Sequence, residues 1–123
     1  MISRRHFLIA AVAQPALPAF ATGTAKVGCQ ANGFVLKPGD FSALLGALGK
    51  MKELGYAGFE CNVRFVRRQF DRSQKARSQI EQTGVRFIGA HMSMAEAQPD
   101  TFVKTLEGVA ALGAECRRPL ARG

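Results

Sequence analysis

The chain is poor in reactive side chains, with two histidines and three cysteines in 123 residues. Cys29, Cys61 and Cys116 are odd in number and widely spaced, which excludes a disulfide framework and the paired spacing of a structural zinc site. There is no phosphate-cradling Gly-x-x-x-x-Gly-Lys-Ser/Thr loop, no Gly-x-Ser-x-Gly elbow and no histidine pair at metal spacing. Beyond residue 21 the only histidine is His91, so a Ser-His-Asp arrangement has no other base to use. The first apolar run is far shorter than the ~20 residues a membrane-crossing helix needs, and stable membrane insertion is not expected. Acidic residues are missing before Asp40.

That last absence coincides with a distinctive opening. Ser3-Arg4-Arg5-His6-Phe7-Leu8 has the twin-arginine pattern, Phe7 to Ala13 is apolar, and Ala19-Phe20-Ala21 offers small residues at cleavage spacing. An amphipathic first helix is the alternative, but Pro15 and Pro18 interrupt it. Residues 1–21 are therefore expected to be a twin-arginine signal peptide, giving a periplasmic or otherwise exported protein. Cleavage after Ala21 leaves 102 residues, enough for one modest core and no second domain.

The formal charge of +8 suggests nucleic acid until its distribution is considered. Arg4 and Arg5 belong to the leader, and Arg117, Arg118 and Arg122 to the last residues. The span between them holds 12 Lys or Arg against 9 Asp or Glu. Most of that small surplus lies in Arg64, Arg67, Arg68, Arg72, Lys75 and Arg77, which read as a solvated helix face. No nucleic-acid partner is expected.

What the chain does have is rhythm. Gly55, Gly84 and Gly113 recur every 29 residues, each closing an amphipathic stretch just before a short apolar run. Glycine tolerates the left-handed conformation that ends a helix, and 29 residues is about one βα unit. The sequence thus predicts strands over Ala25–Gln30, Tyr56–Cys61 and Val85–His91. Asp40 is an N-cap for a helix with the stripe Phe41, Leu44, Leu45, Leu48 and Met51. A second helix carries Phe70, Ser73, Ala76 and Ile80. A third begins near Asp100 after Pro99, with the stripe Phe102, Val103, Leu106, Val109 and Ala110. After Gly113 a fourth apolar strand is due, but Arg117, Arg118 and Pro119 contradict one. The expected fold is α/β, three to four βα units around a parallel sheet.

Aligning the second and third strands on their glycines puts Gly58, Glu60 and Asn62 beside Phe87, Gly89 and His91 on one face. Ala57, Phe59 and Cys61 beside Arg86, Ile88 and Ala90 make the other, suited to helix packing. Cys29 and Cys61 read as two small buried residues, with pairing open in an oxidising compartment. Glu60, Asn62 and His91 then stand at the carboxyl ends of adjacent strands, where parallel α/β folds place their sites. A carboxylate beside an imidazole suits acid–base chemistry or a divalent metal. The structural alternative is that Glu60 caps the following loop and His91 makes one hydrogen bond. Gln30, Asn32 and Gly33 are candidates to line the same mouth.

Leu54-Gly55-Tyr56-Ala57-Gly58-Phe59-Glu60, Val85-Arg86-Phe87-Ile88-Gly89-Ala90-His91 and Leu106 to Ala114, in this order and spacing, resemble the xylose isomerase-like TIM barrel family. That group includes sugar phosphate isomerases and epimerases and endonuclease-IV-like repair nucleases. The resemblance runs from about Lys26 to Cys116. It implies that residues 22–116 are the first part of an incomplete (β/α)8 TIM barrel, with 117–123 a non-matching tail; on the isomerase or epimerase reading the coding frame is shifted or stopped near Cys116. It also implies a divalent metal (Mg, Mn or Zn) holding a small carbohydrate substrate for proton transfer between adjacent carbons. Glu60 and His91 match mouth-lining positions, as catalytic residues and as possible metal ligands, with Asn62 and Gln30 as substrate contacts. The family's principal metal ligands come from later strands. A closed barrel takes about 200 residues or more, so the short chain is expected to be inactive alone. Open strand edges would favour self-association. The other reading is a non-catalytic exported α/β module that needs a partner chain.

Overall fold

A computed structural model of the chain describes residues 25–115. The expected signal peptide (1–21), Cys116 and the tail (117–123) lie outside the described residues. Three units follow one another: β1 (Gly28–Gln30) and α1 (Phe41–Glu53), β2 (Gly58–Asn62) and α2 (Ser73–Gln82), β3 (Arg86–His91) and α3 (Pro99–Ala111). The strands form one parallel sheet in the order β1-β2-β3, so the fold is mixed α/β. Among the described residues no helix is long and apolar enough to cross a membrane.

The three spaced glycines do what their spacing implies. Gly55, Gly84 and Gly113 have φ of 89°, 76° and 93°, the left-handed region that a side chain disfavours. At the first and third stops the bonds are those of a Schellman motif: Tyr56 N–H to Met51 C=O with Gly55 N–H to Lys52 C=O, and Ala114 N–H to Val109 C=O with Gly113 N–H to Ala110 C=O. The second stop substitutes a side chain. The Thr83 hydroxyl donates to Ile80 C=O at 2.6 Å and accepts from Val85 N–H at 3.3 Å, bridging two groups that pair directly elsewhere. Asp40 caps α1 as expected, its Oδ1 accepting from Ala43 N–H at 3.0 Å.

The core lies between the helices and one face of the sheet. Leu44, Leu48 and Met51 of α1, Ala76 and Ile80 of α2, and Val109 and Leu112 at the end of α3 surround Phe59, Cys61, Val85 and Phe87, all buried. The rings of Phe59 and Phe87 stack with centroids 4.7 Å apart and planes 7° from parallel, which adds about 1 kcal/mol to the area they bury. Val63, Phe65 and Val66 pin the segment after β2 into the same core.

Three sequence expectations need correction. The register does not run evenly. Phe59 is level with Phe87, but Glu60 is level with Gly89, so Ile88 is an extra residue on β3. Phe87 therefore joins the core rather than the site face, and Gly58 stands opposite Arg86. Ile88 lies over the other face, where a Cβ on Gly28 or Gly58 would come within 2.7 or 2.6 Å of its Cδ1. Second, the basic run is not one helix face. It passes through 3-10 turns over Val63–Phe65 and Arg67–Arg72 before α2 begins, because the buried Val63, Phe65 and Val66 follow no α-helical period. Third, α3 buries Thr105, Gly108 and Val109, while Phe102, Val103 and Leu106 are 40%, 57% and 42% exposed. Phe70 packs on that buried flank, its ring carbons within 2.4–2.6 Å of where a Cβ on Gly108 would be.

Beyond α3 the chain again comes alongside the sheet. Glu115 N–H donates to Phe87 C=O at 3.1 Å, as Arg86 N–H does to Ala57 C=O and Ala57 N–H to Val27 C=O. The Arg86 and Glu115 side chains also pair there.

Candidate active site

Parallel pairing, not local sequence, brings the candidate residues together. Glu60 and Asn62 alternate with the buried Phe59 and Cys61, so the pleat turns them away from the helices. Above the extra residue Ile88, β3 is in phase with β2, and Asn62 is level with His91. The result is an acid and an imidazole side by side at the carboxyl edge of the sheet.

His91 Nδ1 stands 3.1 Å from Glu60 Oε1. The other ring nitrogen, Nε2, is 3.5 Å from Asn32 Nδ2, in the turn after β1 (Ala31–Gly33). The imidazole thus lies between a residue of the β1 loop and a residue of β2. The His91 and Glu60 side chains are 35% and 41% exposed, so the pair is in contact with water.

The remaining candidates divide. Gln30 is level with Glu60 on the same face and exposed, but it is Asn32 that reaches His91. Asn62 is level with His91, yet its Oδ1 accepts from Arg64 N–H at 3.0 Å and caps the following turn. In the structural alternative Glu60 caps this loop; here Asn62 does so, and Glu60 meets the histidine. The turn placing Asn32 against His91 carries no sequence signal beyond its proximity to the strand end.

Cys61, next in sequence to Glu60, faces the core. Burial, followed by the Glu60 carboxylate beside it, pushes its thiol up to about 12. At neutral pH it is a protonated, enclosed thiol and neither a nucleophile nor a metal ligand. Cys29 is level with Phe59 rather than Cys61, and both cysteines are free.

Glu60 and His91 could supply two donors to a divalent ion. Among the described residues no cluster of three or more His, Cys, Asp or Glu side chains is placed to hold one. Catalytic zinc has three protein ligands, so these two alone fall short of a metal centre. A cavity of about 300 Å³ at the opposite, amino end of the strands, between Arg77, Arg86 and Glu115, brings together no base and nucleophile.

The chain matches no protein-family model, no curated protein and no solved structure.

Proposed function

We propose that Glu60 and His91 form a proton-transfer dyad of the sugar isomerase and epimerase kind, carried on the first units of a (β/α)8 barrel. The observation that carries this reading is the 3.1 Å contact between Nδ1 and Oε1 at the carboxyl edge of two adjacent parallel strands. With the proton on Nδ1, His91 donates to the Glu60 carboxylate, and Nε2 is the basic nitrogen, meeting only the long 3.5 Å contact from the Asn32 amide, which substrate would displace. Glu60 then fixes the tautomer and stabilises the imidazolium that forms. Once the Asn32–His91 contact is displaced, the Asn32 amide N–H can donate to an oxygen of the substrate beside Nε2. A hydroxylated carbonyl compound, a small carbohydrate, meets these requirements.

The divalent metal (Mg, Mn or Zn) of the resemblance would polarise that carbonyl. Holding it at Glu60 and His91 requires donors that the described residues do not supply. The half-reaction expected of the dyad itself is C–H exchange. Aldopentoses and aldohexoses in D2O, with and without added Mg²⁺, Mn²⁺ or Zn²⁺, should exchange the proton beside the carbonyl faster than in buffer, as followed by proton NMR. Glu60→Gln and His91→Asn should each slow that exchange by about 10²–10⁴-fold. No exchange above buffer with any sugar, or unchanged exchange in His91→Asn, overturns the reading.

A second reading, a module that binds another copy or a partner chain, is supported by the exposed Phe102, Val103 and Leu106 of α3, and by β3 being an edge strand among the described residues. On this reading the full chain sediments as an oligomer and Leu106→Glu returns it to a monomer. Monomeric sedimentation at high protein concentration removes self-association.

A further inference from the structure

The basic segment after β2 does more than face water. Arg67 lines a cavity of about 440 Å³ together with Phe70, Glu96 of the loop after β3, and Thr101, Lys104 and Thr105 of α3. This volume is within the roughly 300–1,000 Å³ of small-molecule sites. Phe70 gives the cavity a fixed apolar wall, because its ring is pressed onto α3 at Gly108, 2.4 Å from where a Cβ would be. Thr105 beside it is only 5% exposed.

The charges around this wall do not balance. Arg67 and Lys104 face a single carboxylate, Glu96, and that carboxylate is already engaged. Its Oε2 accepts from the Ser93 N–H at 2.8 Å and the Ser93 hydroxyl at 3.0 Å. Those bonds, the backbone one first, hold its pKa below the usual carboxylate value, with Arg67 and Arg64 adding to them. Its Oε1 is 3.8 Å from Arg67 Nη2, too far for a hydrogen bond. Lys104 forms no ion pair among the described residues. One positive charge and several N–H donors are left facing the cavity.

We infer that this cavity binds a small organic monocarboxylate, its carboxylate held between Arg67 and Lys104 and its apolar body lying on Phe70. Among the lining residues the surplus is one charge, which a monoanion matches, whereas a phosphate monoester brings nearly two at neutral pH. The guanidinium fork suits a planar carboxylate, and the ammonium serves as a point charge. The site is separate from Glu60 and His91 and does not depend on their role.

Sodium benzoate titrated into the full chain at constant ionic strength, followed by amide NMR shifts of Thr101 and Thr105, tests the inference. Saturable binding is expected, with Arg67→Gln and Lys104→Gln each weakening it about tenfold, the worth of one charge-assisted hydrogen bond. Lys75→Gln, in the same basic segment but outside the cavity, should leave it unchanged. Benzyl alcohol should show no saturation, and inorganic phosphate should bind more weakly than benzoate. Equal loss in Lys75→Gln, equal binding of benzyl alcohol, tighter binding of phosphate, or no effect of Lys104→Gln would each overturn the assignment. Lys104 is exposed on α3, so its variant keeps the test valid even if Arg67→Gln does not fold, which circular dichroism shows directly.

Discussion

The first and third helices carry the same apolar pattern in different surroundings. Leu44 and Leu48 lie eleven and seven residues before the glycine that stops α1, and Phe102 and Leu106 lie at the same distances before the glycine that stops α3. The first two have no exposed surface, while the second two are 40% and 42% exposed. A helix in such a unit covers its own strand and the one that follows. For α1 the following strand is β2; for α3, among the described residues, none follows β3. Amphipathic spacing thus determines which residues can be buried, and the neighbouring element determines which of them are.

The comparison is tested most sharply at the two leucines. Leu48→Ala should cost about 2–5 kcal/mol in denaturant unfolding of the full chain, as removal of a fully enclosed side chain does. A loss below about 1 kcal/mol would mean that α1 is not the closed side. Next in size is a pH effect under the same helix. The Cys61 thiol has its pKa raised by folding, from 9.0 to about 12, so it stabilises the fold below pH 9 and loses that contribution as pH rises towards 12. The loss is on the order of 1 kcal/mol per pH unit in that window. Stability curves for wild type and Cys61→Ala should therefore converge as pH rises from 9; parallel curves would place the thiol in water.

Gly108→Ala concerns the covered flank of α3. The new methyl would displace the Phe70 ring, at a cost of roughly 1–3 kcal/mol. Higher thermal stability instead, by about the 1 kcal/mol of improved helix propensity, would mean that the ring does not rest there. The smallest effect belongs to Leu106→Ala, expected within about 0.5 kcal/mol of wild type at low protein concentration. A cost equal to that of Leu48→Ala would erase the distinction between the two helices.

Much of this was legible in the sequence because it depends on local rules. The glycine stops, the Asp40 cap and the parallel strands follow from conformational preference and spacing, and the juxtaposition of Glu60 with His91 follows from the pleat. What escaped depends on contacts distant in sequence. Nothing near Ile88 marks it as unpaired, since the choice between Phe87 and Ile88 for the core is made by the Phe59 ring on another strand. The buried flank of α3 packs on Phe70, nearly forty residues earlier. Asn32 was one of three neighbouring candidates, and only the turn after β1 selects it over Gln30. The cavity lined by Arg67 and Lys104 joins two segments whose charges look merely solvated when read one at a time.

The extra residue on β3 has a consequence for counting. Phe87 and His91 are four positions apart, an even spacing that would send both side chains to one side of an uninterrupted strand. The slip at Ile88 sends the ring inward and the imidazole outward, while its own side chain bridges Gly28 and Gly58 like a crossbar. Core and rim on this strand are therefore geared separately. Excising Ile88 should keep Phe87 level with Phe59 and His91 level with Asn62; of the two intervals of 29, that from Gly84 to Gly113 carries this one step more than the ladder beneath it uses.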